Sequence, residues 1–237
     1  MKKESIKTVL FDLDGTLLPM DQDVFTKTYF KDLTVKMIPH GYEAESLVRA
    51  IWAGTGKMVG NVGEKTNEKA FWETFASIYG EKGLADKPVF DEFYENEFDA
   101  AKRCCGYNEK AAELVKALKE AGYRIILASN PIFPLVAQKK RMQWAGIDPD
   151  DFAYITSYEN STYCKPNVDY YREILRKTDV KPEECLMIGN DVSEDMVAAE
   201  LGIQTFLLTD CMINKDNLDI DCFEHGDYAV LMEALLP

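Results

Sequence analysis

The chain opens with a short unbroken apolar run, Thr8-Val9-Leu10-Phe11, followed at once by the polar string Asp12-Leu13-Asp14-Gly15-Thr16. An apolar run without alternation predicts a strand buried on both faces, and Asp-Gly-Thr predicts the turn that ends it. From about Asp21 to Arg103 the period changes. Apolar residues recur three and four apart, as in Phe25, Tyr29, Leu33 and Met37 or Phe71, Trp72, Phe75 and Ile78, with no β-branched run between them. That spacing predicts an all-helical insert of roughly four helices. A glycine-rich stretch, Gly54 to Gly63, lies in its middle. It reads either as a flexible connector or as a loop whose Lys57 and Asn61 reach a ligand, glycine being permissive in both roles. The aromatics Trp52, Phe71, Trp72 and Phe75 stand at helical spacing and are expected to form the insert's own core.

Beyond Arg103, helices and strands alternate. A helix from Asn108 to Ala121 is expected to stop at Gly122, a favourable C-terminal residue. A strand Tyr123 to Ala128, a helix Leu135 to Trp144, a short strand Ala153 to Thr156 and a helix Val168 to Lys177 follow. A strand Cys185 to Ile188, a helix Glu194 to Leu201 and a strand Gln204 to Leu208 complete the series. Such alternation predicts an α/β fold, a Rossmann-like parallel sheet between two helical layers. The core is assigned to residues 1–19 and 104–237, and the helical insert to residues 20–103. In such sheets ligands bind beyond the carboxyl ends of the strands. A polar group that directly follows a predicted strand is therefore a chemical candidate.

Four strings qualify. In Asp12-Leu13-Asp14-Gly15-Thr16, two carboxylates two residues apart suit a nucleophile or metal ligand and a proton donor. A D-x-D-G-T string arises by chance in a chain of this composition with a probability on the order of 10⁻² or below. Ser129-Asn130-Pro131, after the second strand, is by itself good turn chemistry, though a small hydroxyl and adjacent N–H groups can also bind a phosphoryl oxygen. Lys165-Pro166 lies between a strand and a helix, with Pro166 suited to the helix's first turn. A fixed ammonium there can neutralise phosphate and keep a nearby carboxylate ionised. Gly189-Asn190-Asp191-Val192-Ser193-Glu194-Asp195 supplies hard oxygen donors that suit Mg²⁺, or simply a helix N-terminus rich in acidic residues.

Composition narrows the classes. At 237 residues with 46% apolar and 29% charged side chains, the chain is long enough for one ordinary domain with an insert. Its 41 acidic and 27 basic residues leave a net charge of −14, which argues against nucleic acid or an anionic membrane as partner. Any anionic substrate must be held by local positive charge. Six cysteines contain no C-x-x-C pair, and His40 and His225 are the only histidines. A zinc site is poorly supported, and reduced thiols in a cytoplasmic protein are expected. The start Met1-Lys2-Lys3 hints at a signal peptide, but Asp12 and Asp14 interrupt the apolar stretch that follows it. No segment approaches the roughly 18 to 20 apolar residues of a membrane helix. Gly54-Thr55-Gly56-Lys57 is not a nucleotide-binding loop, because Ile51 and Met58 occupy positions that the motif reserves for Gly and for Ser or Thr.

Taken together, the four strings resemble the motifs of the haloacid dehalogenase superfamily, most of whose members are magnesium-dependent phosphatases. The resemblance covers the whole chain in architecture and implies a role for each motif. Asp12 is the nucleophile and Asp14 the general acid/base. Ser129, Asn130, Lys165 and the main chain at Leu13 bind the phosphoryl group. Mg²⁺ is held by Asp12, the Asp14 carbonyl and Asp191, with Thr16, Asn190 and Asp195 in support. The helical insert is the cap that selects the substrate. The fourth motif departs from the usual Gly-Asp, since Asn190 follows Gly189. Two alignments are open. Either Asp191 is the direct metal ligand, with Asp195 orienting the site or pairing Lys165, or an amide at 190 replaces a carboxylate and weakens metal binding; the first is favoured. Dehalogenase relatives need no acid two residues after the nucleophile, so Asp14 argues for phosphoryl transfer. The expected function is hydrolysis of a small phosphorylated metabolite by a monomer or homodimer. A sugar-phosphate mutase and a non-catalytic binding or regulatory protein are the alternatives, the latter encouraged only by Asn190.

Overall fold

β1 (Thr8–Phe11) is buried along its whole length, and its side chains divide between two separate cores, Val9 and Phe11 in one and Leu10 in the other. This is a central strand, apolar on both faces of its pleat. A computed structural model describes residues 3–236 and places β1 in the middle of a six-stranded parallel sheet. The Met1-Lys2 start considered above lies outside the described residues. β1 pairs on one side with β2 (Arg124–Leu127), which is followed by β3 (Tyr154–Ile155). On the other side come β4 (Cys185–Gly189), β5 (Gln204–Leu208) and β6 (Glu224–Gly226). The order β3-β2-β1-β4-β5-β6 reverses direction between β1 and β4. That switch point opens a crevice at the carboxyl ends of the strands. Phe11 stands level with both Leu127 and Ile188, so Asp12 emerges at the same sheet edge as the loops after β2 and β4.

Helices cover both faces. The Val9 and Phe11 face packs against α6 (Glu109–Glu120), α7 (Leu135–Trp144) and α9 (Tyr228–Leu235). The Leu10 face packs against α8 (Val168–Thr178) and a 3-10 helix, Met196–Leu201. Asn108, Asn167 and Asp227 cap α6, α8 and α9 by accepting main-chain N–H bonds. The Glu194–Leu201 helix expected from the sequence is thus a shorter 3-10 helix. Its predicted first turn is held instead by Asp191, whose Oδ1 accepts from the N–H groups of Ser193 and Glu194 at 2.9 Å each.

Between β1 and β2 lie α1 (Gln22–Met37), α2 (Ala44–Val59), α3 (Asn67–Tyr79), α4 (Glu81–Ala85) and α5 (Lys87–Asn96), with 3-10 turns at Ile38–His40 and Phe98–Cys104. The extra helix arises because Gly80 and then Asp86-Lys87-Pro88 divide what the periodicity alone joins. The chain leaves and re-enters the sheet side by side. Met20 and Cys105 form an antiparallel bridge, and Gly106 N–H donates to Pro19 O at 2.7 Å.

Two readings of this segment are corrected. The glycine-rich stretch is not a loop over its first half, because α2 continues to Val59. A Cβ on Gly54 would lie 2.5 Å from Phe71 Cδ2, so glycine lets α2 and α3 approach closely. Asn61 does not reach out to a ligand. It is buried and donates to Lys65 O at 2.8 Å and to Asn67 Oδ1 at 2.9 Å, while Lys57 points to solvent. Among the aromatics, Phe71, Trp72 and Phe75 are core, but Trp52 is 53% exposed. No described helix is long and apolar enough to cross a membrane. All six cysteines are unpaired, and burial pushes the Cys164 and Cys185 thiols up to about 12.

The Gly54–Phe71 contact is testable. Gly54→Val adds three carbons against a buried ring and should lower the free energy of unfolding by about 1–3 kcal/mol in urea denaturation.

Candidate active site

Asp12 is the first residue past β1, and its N–H donates to Ile188 O at 2.9 Å, continuing the ladder between β1 and β4. This fixes its carboxylate over the crevice. Lys165 Nζ donates to Asp12 Oδ1 at 2.8 Å and to Asp195 Oδ1 at 2.6 Å. The lysine is 1% exposed. Burial alone would drive its ammonium down, but the charges of Asp12 and Asp195 outweigh that and hold it well above its ordinary value. Burial pushes the Asp195 carboxyl up, and the pull of Lys165 offsets this only in part against the nearby Asp12 charge. Asp195 reaches Lys165 because Gly189 leaves room: a Cβ there would lie 2.1 Å from Asp195 Oδ2. That second oxygen accepts from Asp191 N–H at 3.0 Å. Lys165 sits just before the Asn167 cap of α8, and its peptide to Pro166 is cis. Pro166 therefore precedes the cap and does not occupy the first helical turn.

Asp14 has a partner that sequence reasoning missed. Arg141, from α7, is 0% exposed and donates to Asp14 Oδ2 and to Gln138 Oε1. Its guanidinium carbon lies 4.5 Å from the centre of the Phe133 ring, a cation–π contact. Burial raises the Asp14 carboxyl above its ordinary value, Arg141 draws it back, and the Asp12 charge adds to the rise; the net direction is upward. Asp14 Oδ1 is buried with no hydrogen-bond partner among the described residues. In the sequence, Lys139-Lys140-Arg141 looks like a solvated basic run, and nothing local marks its third member as buried.

The remaining sequence candidates are distributed around this centre. Leu13 is buried, and its carbonyl accepts from Thr16 N–H at 3.2 Å and Leu18 N–H at 2.8 Å, which tightens the loop. Thr16 Oγ1 donates to Asn190 Oδ1 at 3.0 Å, and Asn190 Nδ2 donates to Cys211 O at 2.7 Å. Both ends of the Asn190 amide are thus engaged in joining three loops. Gly15, at φ +89°, allows this approach, since a Cβ would lie 2.3 Å from Asn190 Nδ2. Tyr228, also unforeseen, donates to Thr16 O at 2.7 Å from α9. Ser129 is buried, with its carbonyl held by Thr156 Oγ1 and by the Tyr170 hydroxyl at 2.8 Å each. Asn130 Nδ2 donates to Glu194 Oε2 at 3.2 Å.

A cavity of about 220 Å³ lies between this loop cluster and the helical insert. Asp14, Asn130 and Glu194 form part of its wall, and much of the rest is aromatic, including Phe25, Tyr29, Trp52, Phe71, Trp72 and Phe133. Lys57 is not part of the wall. The insert is fastened on either side of the space. Trp144 Nε1 donates to Asp99 Oδ1 at 2.8 Å, and the N–H groups of Asn67 and Glu68 donate to Ser161 O and Tyr158 O at 2.8 Å each.

A parallel sheet with acidic loops at its switch point and a helical insertion after the first strand defines a hydrolase of the haloacid dehalogenase type. A sequence profile of the haloacid dehalogenase-like hydrolases matches residues 6–202, and the chain belongs to that family. It is similar to a glyceraldehyde 3-phosphate phosphatase of Methanothermobacter thermautotrophicus, at 28% identity over 97% of this chain and 100% of the relative. A phosphoglycolate phosphatase of Vibrio vulnificus is 25% identical over 88% of this chain and 86% of its own. A crystal structure of a 2-haloacid dehalogenase from Pseudomonas syringae pv. tomato has the same fold, with a TM-score of 0.61 at 16% identity, over 97% of this chain and 98% of that one.

Removing Arg141 should expose how tightly Asp14 is bound. Arg141→Ala leaves a partly buried carboxylate without its cation and is expected to cost about 1–3 kcal/mol of stability in denaturant titration. Adding Asp14→Asn to that variant should recover part of the loss.

Proposed function

We propose that the protein is a magnesium-dependent phosphatase that hydrolyses a small phosphorylated compound through an aspartyl-phosphate. The observation that carries this reading is the buried Lys165 ammonium held between Asp12 and Asp195 at the switch point, with Asp14 two residues from Asp12. The donor set fits a hard cation. Asp12, Asp191 and the Asp14 carbonyl present only oxygen, the ligand atom Mg²⁺ prefers. Asn190 spends its amide on Thr16 and Cys211, which favours Asp191 as the fourth-motif ligand. Bound there, Mg²⁺ would offset the charge of the phosphoryl oxygens.

This chain's own residues account for the rest. Asp12, held in place by Lys165, attacks phosphorus and becomes the aspartyl-phosphate as the bond to the leaving alkoxide breaks. Lys165, Ser129, Asn130 and the main-chain N–H groups at Leu13 and Asp14 bind the equatorial oxygens. Asp14, whose carboxyl is raised by burial, gives a proton to the departing alkoxide and then takes one from the hydrolytic water. Displacement of halide from carbon has no use for such a proton, which separates this reading from the dehalogenase that shares the fold. Residues 20–103 act as a cap that encloses the reacting groups and excludes bulk water.

Asp12→Asn should lower Mg²⁺-dependent release of phosphate from p-nitrophenyl phosphate by about 10³-fold or more while the circular dichroism spectrum is retained. Unchanged turnover would remove the nucleophile assignment. Lys165→Met should cut kcat/KM by about 100-fold, as expected for a lost oxyanion partner, and EDTA should abolish wild-type turnover until Mg²⁺ is restored.

A further inference from the structure

The wall of the cavity carries information about the leaving group. Among the described residues no lysine, arginine or histidine lines it, and its only ionisable carboxyls are Asp14 and Glu194. Arg141 is nearby but fully buried behind Phe133, with its guanidinium committed to Asp14 and Gln138. Lys165, the cation assigned to the phosphoryl group, is paired with Asp12 and is not part of this wall. A second anionic group on the substrate would find two carboxyls and no uncommitted cation on the wall, within a protein of net charge −14.

What the wall offers instead is rings. Phe71 and Trp72 meet edge to face with centroids 5.2 Å apart, and Trp72 and Phe90 do so at 5.4 Å. Phe30 lies 5.5 Å from Trp52, whose indole is half-exposed at the rim. These side chains belong to α1, α2, α3 and α5, so one apolar surface is assembled from four helices of the insert. A cavity of about 150 Å³ suffices for a benzene ring, and this one holds about 220 Å³.

We propose that the substrate is the monophosphate of a neutral, predominantly apolar alcohol whose ring, or unsaturated chain of similar size, packs among Trp52, Phe71, Trp72 and Phe90. The inference rests on the phosphatase reading for its chemistry and on the cavity wall for its selectivity. It sets this chain apart from a relative named for phosphoglycolate, whose leaving group bears a carboxylate.

The test compares alkyl phosphates, so that leaving-group acidity does not mask recognition. With Mg²⁺, kcat/KM for 2-phenylethyl phosphate should exceed that for ethyl phosphate by about 30-fold or more, the effect of burying one ring. It should exceed the values for phosphoglycolate and glyceraldehyde 3-phosphate by at least as much. In Trp52→Ala, the ratio of 2-phenylethyl to ethyl phosphate should fall about tenfold. If p-nitrophenyl phosphate is hydrolysed but phosphoglycolate or ethyl phosphate matches 2-phenylethyl phosphate, the substrate class is wrong and the phosphatase reading stands. Preference for phosphocholine overturns the neutral leaving group in favour of a cation-binding aromatic cage. If no phosphate ester is hydrolysed, the phosphatase reading fails. The apolar site is then judged by tryptophan emission: saturable quenching by 2-phenylethanol but not by glycerol supports it, and no response to either overturns it.

Discussion

The structure is organised around one buried ammonium. Lys165 joins the loop after β3 to Asp12 at the end of β1 and to Asp195 beyond β4. An uncompensated charge in that position would cost several kcal/mol, so the three loops are held to a common geometry. Gly189 completes the arrangement by vacating the space that Asp195 fills. Burial drives the Asp195 carboxyl upward, Lys165 draws it back in part, and the neighbouring Asp12 charge adds to the rise.

A second buried cation serves a different purpose. Arg141 holds Asp14 in place, with Gln138 and Phe133 fixing the guanidinium. The two aspartates of one short loop thus have separate cationic partners and different surroundings. Asp12 stands beside an ammonium at the sheet edge, and Asp14 faces the aromatic space under the insert. Carboxyls whose environments differ in this way can divide the tasks of nucleophile and acid.

Much of this was legible in the chain. β1, β2, β4 and β5 announce themselves as apolar runs ended by turn residues, and the change to helical period after Asp21 marks the insert. β6 and α9 escaped, because Glu224–Gly226 is an exposed polar edge and the helix after it is two turns long. The motif residues Asp12, Lys165 and Asp195 could be named from their strings, since strand-end placement in a parallel sheet follows from topology. The aromatic spacing of the insert was visible too, but it assigned Trp52 to the interior, whereas helix packing turned that ring toward the cavity rim.

The sequence by itself determined the layered α/β architecture, the strand ends that carry chemistry and the acidic string after β1, because these follow from local period and turn preference. Tertiary structure decided which of many charged residues are buried and with whom. Arg141 rather than Lys140 meets Asp14, Asn190 clamps Thr16 rather than facing a ligand, and the insert's rings enclose a space free of cations among the described residues. Such pairings join residues more than a hundred positions apart. Their energies depend on desolvation, which exists only once the helices and the sheet have closed around them.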